Sequence, residues 1–166
     1  MSGRFWDKAP AIGFDLGETL LTYRNTPLSW ADLYDDALRS VESAVGGRVD
    51  ERSRESAKAI LARHNSRLFP RTKEISAEAI FTEISAAYGW PTAQCAFVIE
   101  TFFRFFQQRL VAYPETRGTL EELKKRGVRI GVLTDVPYGM PRSLVRRDIA
   151  ETGLSDVIDV LLTSVD

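Results

Sequence analysis

Short apolar runs separated by single amphipathic segments leave this chain few ways to fold. Residues 115–127, ETRGTLEELKKRG, have the spacing of a short amphipathic helix closed by Gly127. Residues 128–135, VRIGVLTD, are dense in β-branched side chains and predict a strand. Residues 142–154 read as a second helix ended by Gly153, and residues 156–166, DVIDVLLTSVD, as a further buried strand. Strands joined by single helices imply right-handed crossovers and a parallel sheet. A third apolar run, AIGF at 11–14, runs straight into Asp15 and reads as one more buried strand.

Between the first and second of these strands lies too much chain for one crossover. Residues 28–47 predict a helix with a cap at Ser29, apolar Leu33, Ala37, Val41 and Ala44, and a stop at Gly46 and Gly47. Residues 50–69 continue as a second helix ending near Pro70. Residues 76–89 form a third between Ser76 and Gly89. The fourth, 91–110, opens with Pro91 in its first turn and is apolar over most of its surface. The expected fold is therefore α/β: an incomplete Rossmann-like parallel sheet of about three strands with an inserted α-helical cap. Residues 1–23 and 111–166 would form the core domain and residues 24–110 the cap domain.

A formal net charge of −1 and 44% hydrophobic residues give no basis for nucleic-acid or membrane partners. No apolar run approaches the ~20 residues of a membrane helix, and the first ten residues lack the apolar core of a secretory signal. Cys95 is the single cysteine, which excludes an internal disulfide and fits a reducing, cytoplasmic location. With His64 the single histidine, multi-histidine metal sites are hard to build, so chemistry must rest on carboxylates, hydroxyls and cations.

In open parallel sheets, ligands bind beyond the carboxyl ends of the strands, and Asp15 and Thr134 each follow an apolar strand directly. An aspartate there can attack a phosphoryl or alkyl centre and form a covalent intermediate; it can equally cap the turn. Taken with its surroundings, GFDLGETLL together with YPETRGTLEELKKRGVRIGVLTD resembles the haloacid dehalogenase-like hydrolases, in the group with a helical cap between the first and second motifs. The first motif falls on Asp15, Leu16, Gly17, Glu18, Thr19 and Leu20, and the second on Ile130 through Thr134. The resemblance implies that Asp15 is nucleophile and Mg²⁺ ligand, that the Gly17 carbonyl is a second ligand, and that Thr134 steadies the transferred group. It implies a small phosphorylated metabolite as substrate, with Gly17, Glu18, Thr19 and Asp135 around it.

The sequence departs from that pattern twice. Gly17 stands where phosphatases of the family carry a second Asp, a general acid–base worth ~10²–10⁴ in rate. Glu18 is adjacent but points elsewhere by one step of the chain. The chain also ends at Asp166, before the family's lysine and last acidic motif; Lys124, Lys125, Arg146 and Arg147 read as solvated helix faces. The alternatives to a Mg²⁺-dependent phosphatase are a haloacid dehalogenase, whose halide leaves without a proton, and a truncated, silent relative acting by binding or dimerisation. The family's missing fourth strand would leave the backbone of Ile12–Phe14 as an open apolar edge, predicting a homodimer, a swapped assembly or a fragment of a longer product.

Other residues read as structural. His64 is expected as a partly exposed cap-helix histidine, and Arg71 and Lys73 as a solvated basic loop. The phenylalanines at 97, 102, 103, 105 and 106 are expected as a packing face. Asp135 is expected as a helix cap and Thr19 as a turn-fixing hydroxyl.

Overall fold

The structure is a computed structural model that describes residues 11–46, 50–108 and 110–166. Strand β1 (Ala11–Phe14) pairs in parallel with β4 (Arg129–Thr134), which pairs in parallel with β5 (Val160–Thr163), giving the order β1-β4-β5. The crossover helices are α5 (Thr116–Lys125) and α6 (Arg142–Glu151). Four further helices precede α5 between the first and second of the parallel strands: α1 (Tyr34–Val45), α2 (Glu51–Arg63), α3 (Ala77–Tyr88) and α4 (Cys95–Gln107).

Residues outside the three long runs form a second sheet that sequence patterning did not anticipate. Strand β2 (Leu21–Tyr23) pairs antiparallel with β3 (Leu110–Ala112), clasping the chain where it enters and leaves the helical segment. Three-residue strands carry too few positions for a period to register.

Helix ends follow their capping chemistry with three corrections, the first at α4, where Pro91 stands ahead of a separate 3₁₀ turn, Thr92–Gln94, and not in the first turn of the helix. Ser76 accepts from the Ala79 amide at the start of α3, and Gly89, at φ 70°, ends it. Asp50 caps α2 through Ser53. Ser29, expected to start an α-helix, caps instead the 3₁₀ turn Trp30–Leu33 that precedes α1, and Ala44 lies on the exposed side. Helix α2 stops at Arg63, short of Pro70, because buried Asn65 turns the chain. Its side-chain oxygen accepts from the Arg67 amide at 2.9 Å, and its carbonyl accepts from Leu68 and Phe69. Gly46, at φ 77°, ends α1 as expected; Gly47 lies outside the described residues.

The helical segment packs around an aromatic core. Phe81, Phe102, Phe103 and Phe106 are fully buried, and Trp30 stacks on Phe106 with ring centroids 3.8 Å apart. Each such ring contributes ~1.5–3 kcal/mol through burial. Of the phenylalanines at 97, 102, 103, 105 and 106, Phe97 alone is turned out to solvent.

The parallel sheet is covered on one face only among the described residues. Ile130, Val132 and Leu161 are buried, whereas Leu133, Val160 and Leu162 on the opposite face are 54, 53 and 47% exposed. The strands were expected to be buried on both sides; they alternate instead. Leu133 lies across Gly13, where an added Cβ would come 2.7 Å from its Cδ1. Among the described residues, strand β1 has one hydrogen-bonded neighbour, and its other edge is unpaired. No described helix is long and apolar enough to cross a membrane.

Candidate active site

The parallel register brings the two motif residues to one edge. Phe14 pairs with Val132 and Thr134 with Thr163, so Asp15 leaves β1 where β4 is about to end at Thr134. Both line a cavity of about 410 Å³ with Gly17, Glu18, Thr19 and Asp135. All six sequence-derived site residues therefore meet at one opening, within the size range of small-molecule sites.

Residues 15–21 form a tight loop. The amides of Leu20 and Leu21 donate to the Leu16 carbonyl, and the Glu18 amide donates to the Leu21 carbonyl. These bonds bracket Gly17 and leave its carbonyl without a donor among the described residues. Glu18 takes the left-handed conformation, at φ 56°. Thr19 Oγ1 donates to Asp15 Oδ2 at 3.3 Å, so this hydroxyl addresses the carboxylate itself and not the local backbone.

Glu18 is occupied elsewhere. Thr22 Oγ1 donates to one carboxylate oxygen at 2.6 Å and Tyr113 Oη to the other at 3.0 Å, tying the loop to β2 and to the residue after β3. Around Gly17 there is room: a Cβ added there meets nothing within 4 Å, and its φ is ordinary. Neither packing nor backbone requires glycine at this position. Thr134 Oγ1 rests on the Asp135 carbonyl at 2.9 Å. The turn after β4 is held by Ser164, whose hydroxyl accepts from the Val136 amide, and Asp135 caps no described helix.

The opposite wall comes from residues that sequence reasoning left out. Asn65, Ser66 and Arg67 follow α2 and face the cavity with His64, Trp30 and Tyr138. Asn65 Nδ2 donates to Tyr34 Oη at 2.8 Å and to Ser29 Oγ at 3.2 Å, and the Tyr34 and Tyr138 hydroxyls lie 2.5 Å apart. Burial raises both phenols above their usual range. Tyr138 adopts φ 52°, and the next residue, Gly139, sits where a Cβ would come 2.0 Å from the Ile75 carbonyl oxygen. The loop after β4 is thus pressed into the helical segment. Arg71 adds to the join by donating to the Val136 carbonyl at 2.7 Å while paired with Glu74 at 3.0 Å, so it is a fastening and not a solvated side chain. A buried polar triad made by residues 34, 65 and 138 has no local sequence signal.

His64 ends α2 on the cavity wall, and burial, followed by the Arg63 charge, lowers its pKa. Behind the wall, Asp148 of α6 is 2% exposed and its pKa is pushed up to about 6, chiefly by burial. It accepts from Tyr23 Oη at 3.0 Å and from Gln107 Nε2.

Among the described residues no cluster of three or more His, Cys, Asp or Glu could hold a metal ion. The Asp15 carboxylate and the unbonded Gly17 carbonyl suit a hard cation that retains several waters, the usual habit of Mg²⁺.

The aspartate and the threonine stand at the carboxyl edge of a helix-covered parallel sheet, the edge where ligands bind in open α/β folds. The family model of haloacid dehalogenase-like hydrolases matches residues 9–166, and the chain belongs to that family. Among solved structures it is similar to a candidate beta-phosphoglucomutase from Thermotoga maritima, at 18% identity and a TM-score of 0.54, over 93% of this chain and 61% of that one. It is also similar to a predicted phosphoglycolate phosphatase from Haemophilus somnus, at 17% identity and a TM-score of 0.50, over 98% and 64%. The chain thus spans less than two thirds of the length of these structures. No curated protein matches it.

Proposed function

We propose that this chain is a Mg²⁺-dependent phosphatase acting on a small phosphate ester, with Asp15 as its nucleophile. Asp15 attacks phosphorus, the ester P–O bond breaks, the departing oxygen takes a proton from solvent water, and an aspartyl phosphate forms; a water then attacks phosphorus, gives up a proton to solvent, and breaks the P–O bond to Asp15, releasing phosphate and restoring the carboxylate. Thr134 donates to a phosphoryl oxygen after its hydroxyl turns from the Asp135 carbonyl, and Thr19 keeps the Asp15 carboxylate in place. Mg²⁺, when bound through Asp15 and the Gly17 carbonyl, would screen the charge between carboxylate and phosphate. The observation that carries this reading is the opening of Asp15 and Thr134, on adjacent parallel strands, into one cavity. We further propose that residues 24–110 act as the cap that excludes water from that cavity, and that the protein is cytoplasmic, as its one buried free cysteine suits.

One observation favours a second reading. With Gly17 in place of an acid and Glu18 held by Thr22 and Tyr113, the positions that follow Asp15 in its own loop offer no free acid to a leaving alcohol. A halide needs no proton, so displacement at carbon by Asp15 fits the same residues.

Hydrolysis of p-nitrophenyl phosphate and of a simple alkyl phosphate, with and without Mg²⁺, tests the proposal. Turnover should fall at least ~10³-fold in Asp15→Asn, as expected for loss of the nucleophile. The space around Gly17 permits Gly17→Asp, which should speed the alkyl ester ~10–10²-fold more than the nitrophenyl ester, whose leaving group departs unprotonated. Wild-type turnover of a haloacid and of neither phosphate would overturn the phosphatase reading in favour of the second one.

A further inference from the structure

We infer that Asp135 is the general base of the second half-reaction, accepting the proton of the water that hydrolyses the aspartyl phosphate. The inference rests on the phosphatase reading above and names the group that holds the proton before solvent does. Of the three carboxylates that line the cavity, two have other work. Asp15 is the nucleophile, and Glu18 is held by Thr22 at 2.6 Å and by Tyr113 at 3.0 Å. The Asp135 carboxylate takes no hydrogen bond or ion pair among the described residues and caps no described helix. Packing does not account for it either, because the residue is exposed.

The chain itself places this carboxylate beside the reacting group. Asp135 follows Thr134, whose hydroxyl is assigned to a phosphoryl oxygen, and consecutive Cα atoms are ~3.8 Å apart. The strand that Thr134 ends, β4, is hydrogen-bonded to β1, from which Asp15 emerges. The backbone is fixed on either side of Asp135. The Thr134 carbonyl accepts from the Ser164 amide at 3.0 Å, and the Val136 amide donates to Ser164 Oγ at 3.1 Å. The Val136 carbonyl accepts from Arg71 at 2.7 Å. A free carboxylate on a pinned backbone meets an attacking water at little ordering cost.

A second opening gives that water and its proton a path. Asp135, Ser66 and Arg67 line both the reaction cavity and an adjoining opening of about 490 Å³, which Lys73 and Ser164 also border. Arg67 and Lys73 bring positive charge to this border, offsetting the repulsion between a carboxylate and a phosphoryl group. In the step itself the water oxygen forms the new P–O bond. The bond from phosphorus to Asp15 breaks, and its electron pair returns to the Asp15 carboxylate. The water's proton passes to Asp135 and from there to solvent. As a carboxylate, Asp135 has no proton for the departing alcohol, so the first step stays with solvent. The other base on the cavity wall, His64, ends α2, and the chain does not tie it to Thr134 as it ties Asp135.

Rapid-quench kinetics with p-nitrophenyl phosphate separate the two steps, because nitrophenolate leaves in the first and phosphate in the second. With Mg²⁺ present, Asp135→Asn should release one equivalent of nitrophenolate per chain in a burst. It should then turn over at least ~10²-fold more slowly than wild type, with the phosphoryl group retained on Asp15 in the acid-quenched protein. Asp135→Glu, which keeps the carboxylate, should regain part of the steady rate. Since residue 135 is exposed, thermal melts of both variants should coincide with wild type. A wild-type steady rate in Asp135→Asn overturns the inference. So does loss of the burst along with the steady rate, which would put the residue in the first step, and so does phosphoenzyme accumulation in His64→Gln in place of Asp135→Asn. No nitrophenolate and no phosphoenzyme from any chain, wild type included, would sink the phosphatase reading and this inference with it. A phosphoenzyme on Asp15 that clears at the wild-type rate without the Asp135 carboxylate would sink this inference alone.

Discussion

The helical segment and the parallel sheet solve the same burial problem to different degrees. In the segment, α1, α3 and α4 enclose a continuous aromatic core, and Glu42, a buried acid, is matched by Arg54 at 2.7 Å and by Tyr88 Oη at 2.7 Å. In the sheet, among the described residues, one face is packed and the other presents Leu133, Val160 and Leu162 to solvent, while one edge of β1 is unpaired. The site lies where the two regions meet, with its nucleophile on the half-covered sheet and its opposite wall on the well-packed helices. Rigidity at the site is thus drawn from the helical side, through Tyr34, Asn65 and Tyr138.

The sharpest test of this contrast is a pair of truncations. Phe106→Ala removes a fully buried ring stacked on Trp30 and should cost ~3–5 kcal/mol. Leu162→Ala on the open face should stay within ~0.5 kcal/mol. Chemical denaturation reads both, and equal costs would break the comparison.

A second, smaller effect sits at the seam. Asp148 has a folded pKa of about 6 against an ordinary aspartate value near 3.8. The folded state therefore holds its proton more tightly, and the stability this group contributes is present below pH ~4 and lost as pH rises toward 6. The difference at neutral pH is on the order of 2–3 kcal/mol. Asp148→Asn should remove that fall, so wild type minus variant stability, measured between pH 4 and 7, should decline with pH and then level off. A flat difference would show that Asp148 is not held neutral by burial.

The smallest effect concerns association. We propose that the open face and the β1 edge pair with a second copy, since exposed apolar strands with free edges invite it. Sedimentation should show concentration-dependent self-association of the wild type, diminished in Leu133→Lys with Leu162→Lys. A strictly monomeric wild type would dismiss this pairing.

The sequence by itself determined the alternation of strands and helices, because burial of one face imposes a period that survives in the residues: α5, β4, α6 and β5 are all legible between 115 and 166, and α3 in its Ser76 and Gly89 boundaries. It also marked Asp15 and Thr134, since strand ends in a parallel sheet converge whatever the surrounding detail. Tertiary structure alone decided what faces them. Arg67 reaches the cavity because Asn65 ends α2 early and turns the chain. Glu18 braces a β2–β3 pairing whose partners are nearly ninety residues apart. Tyr138 enters the helical core at a positive φ that no local preference requires. Contacts between residues distant in sequence leave no period to read, and the far wall of this cavity is made of them.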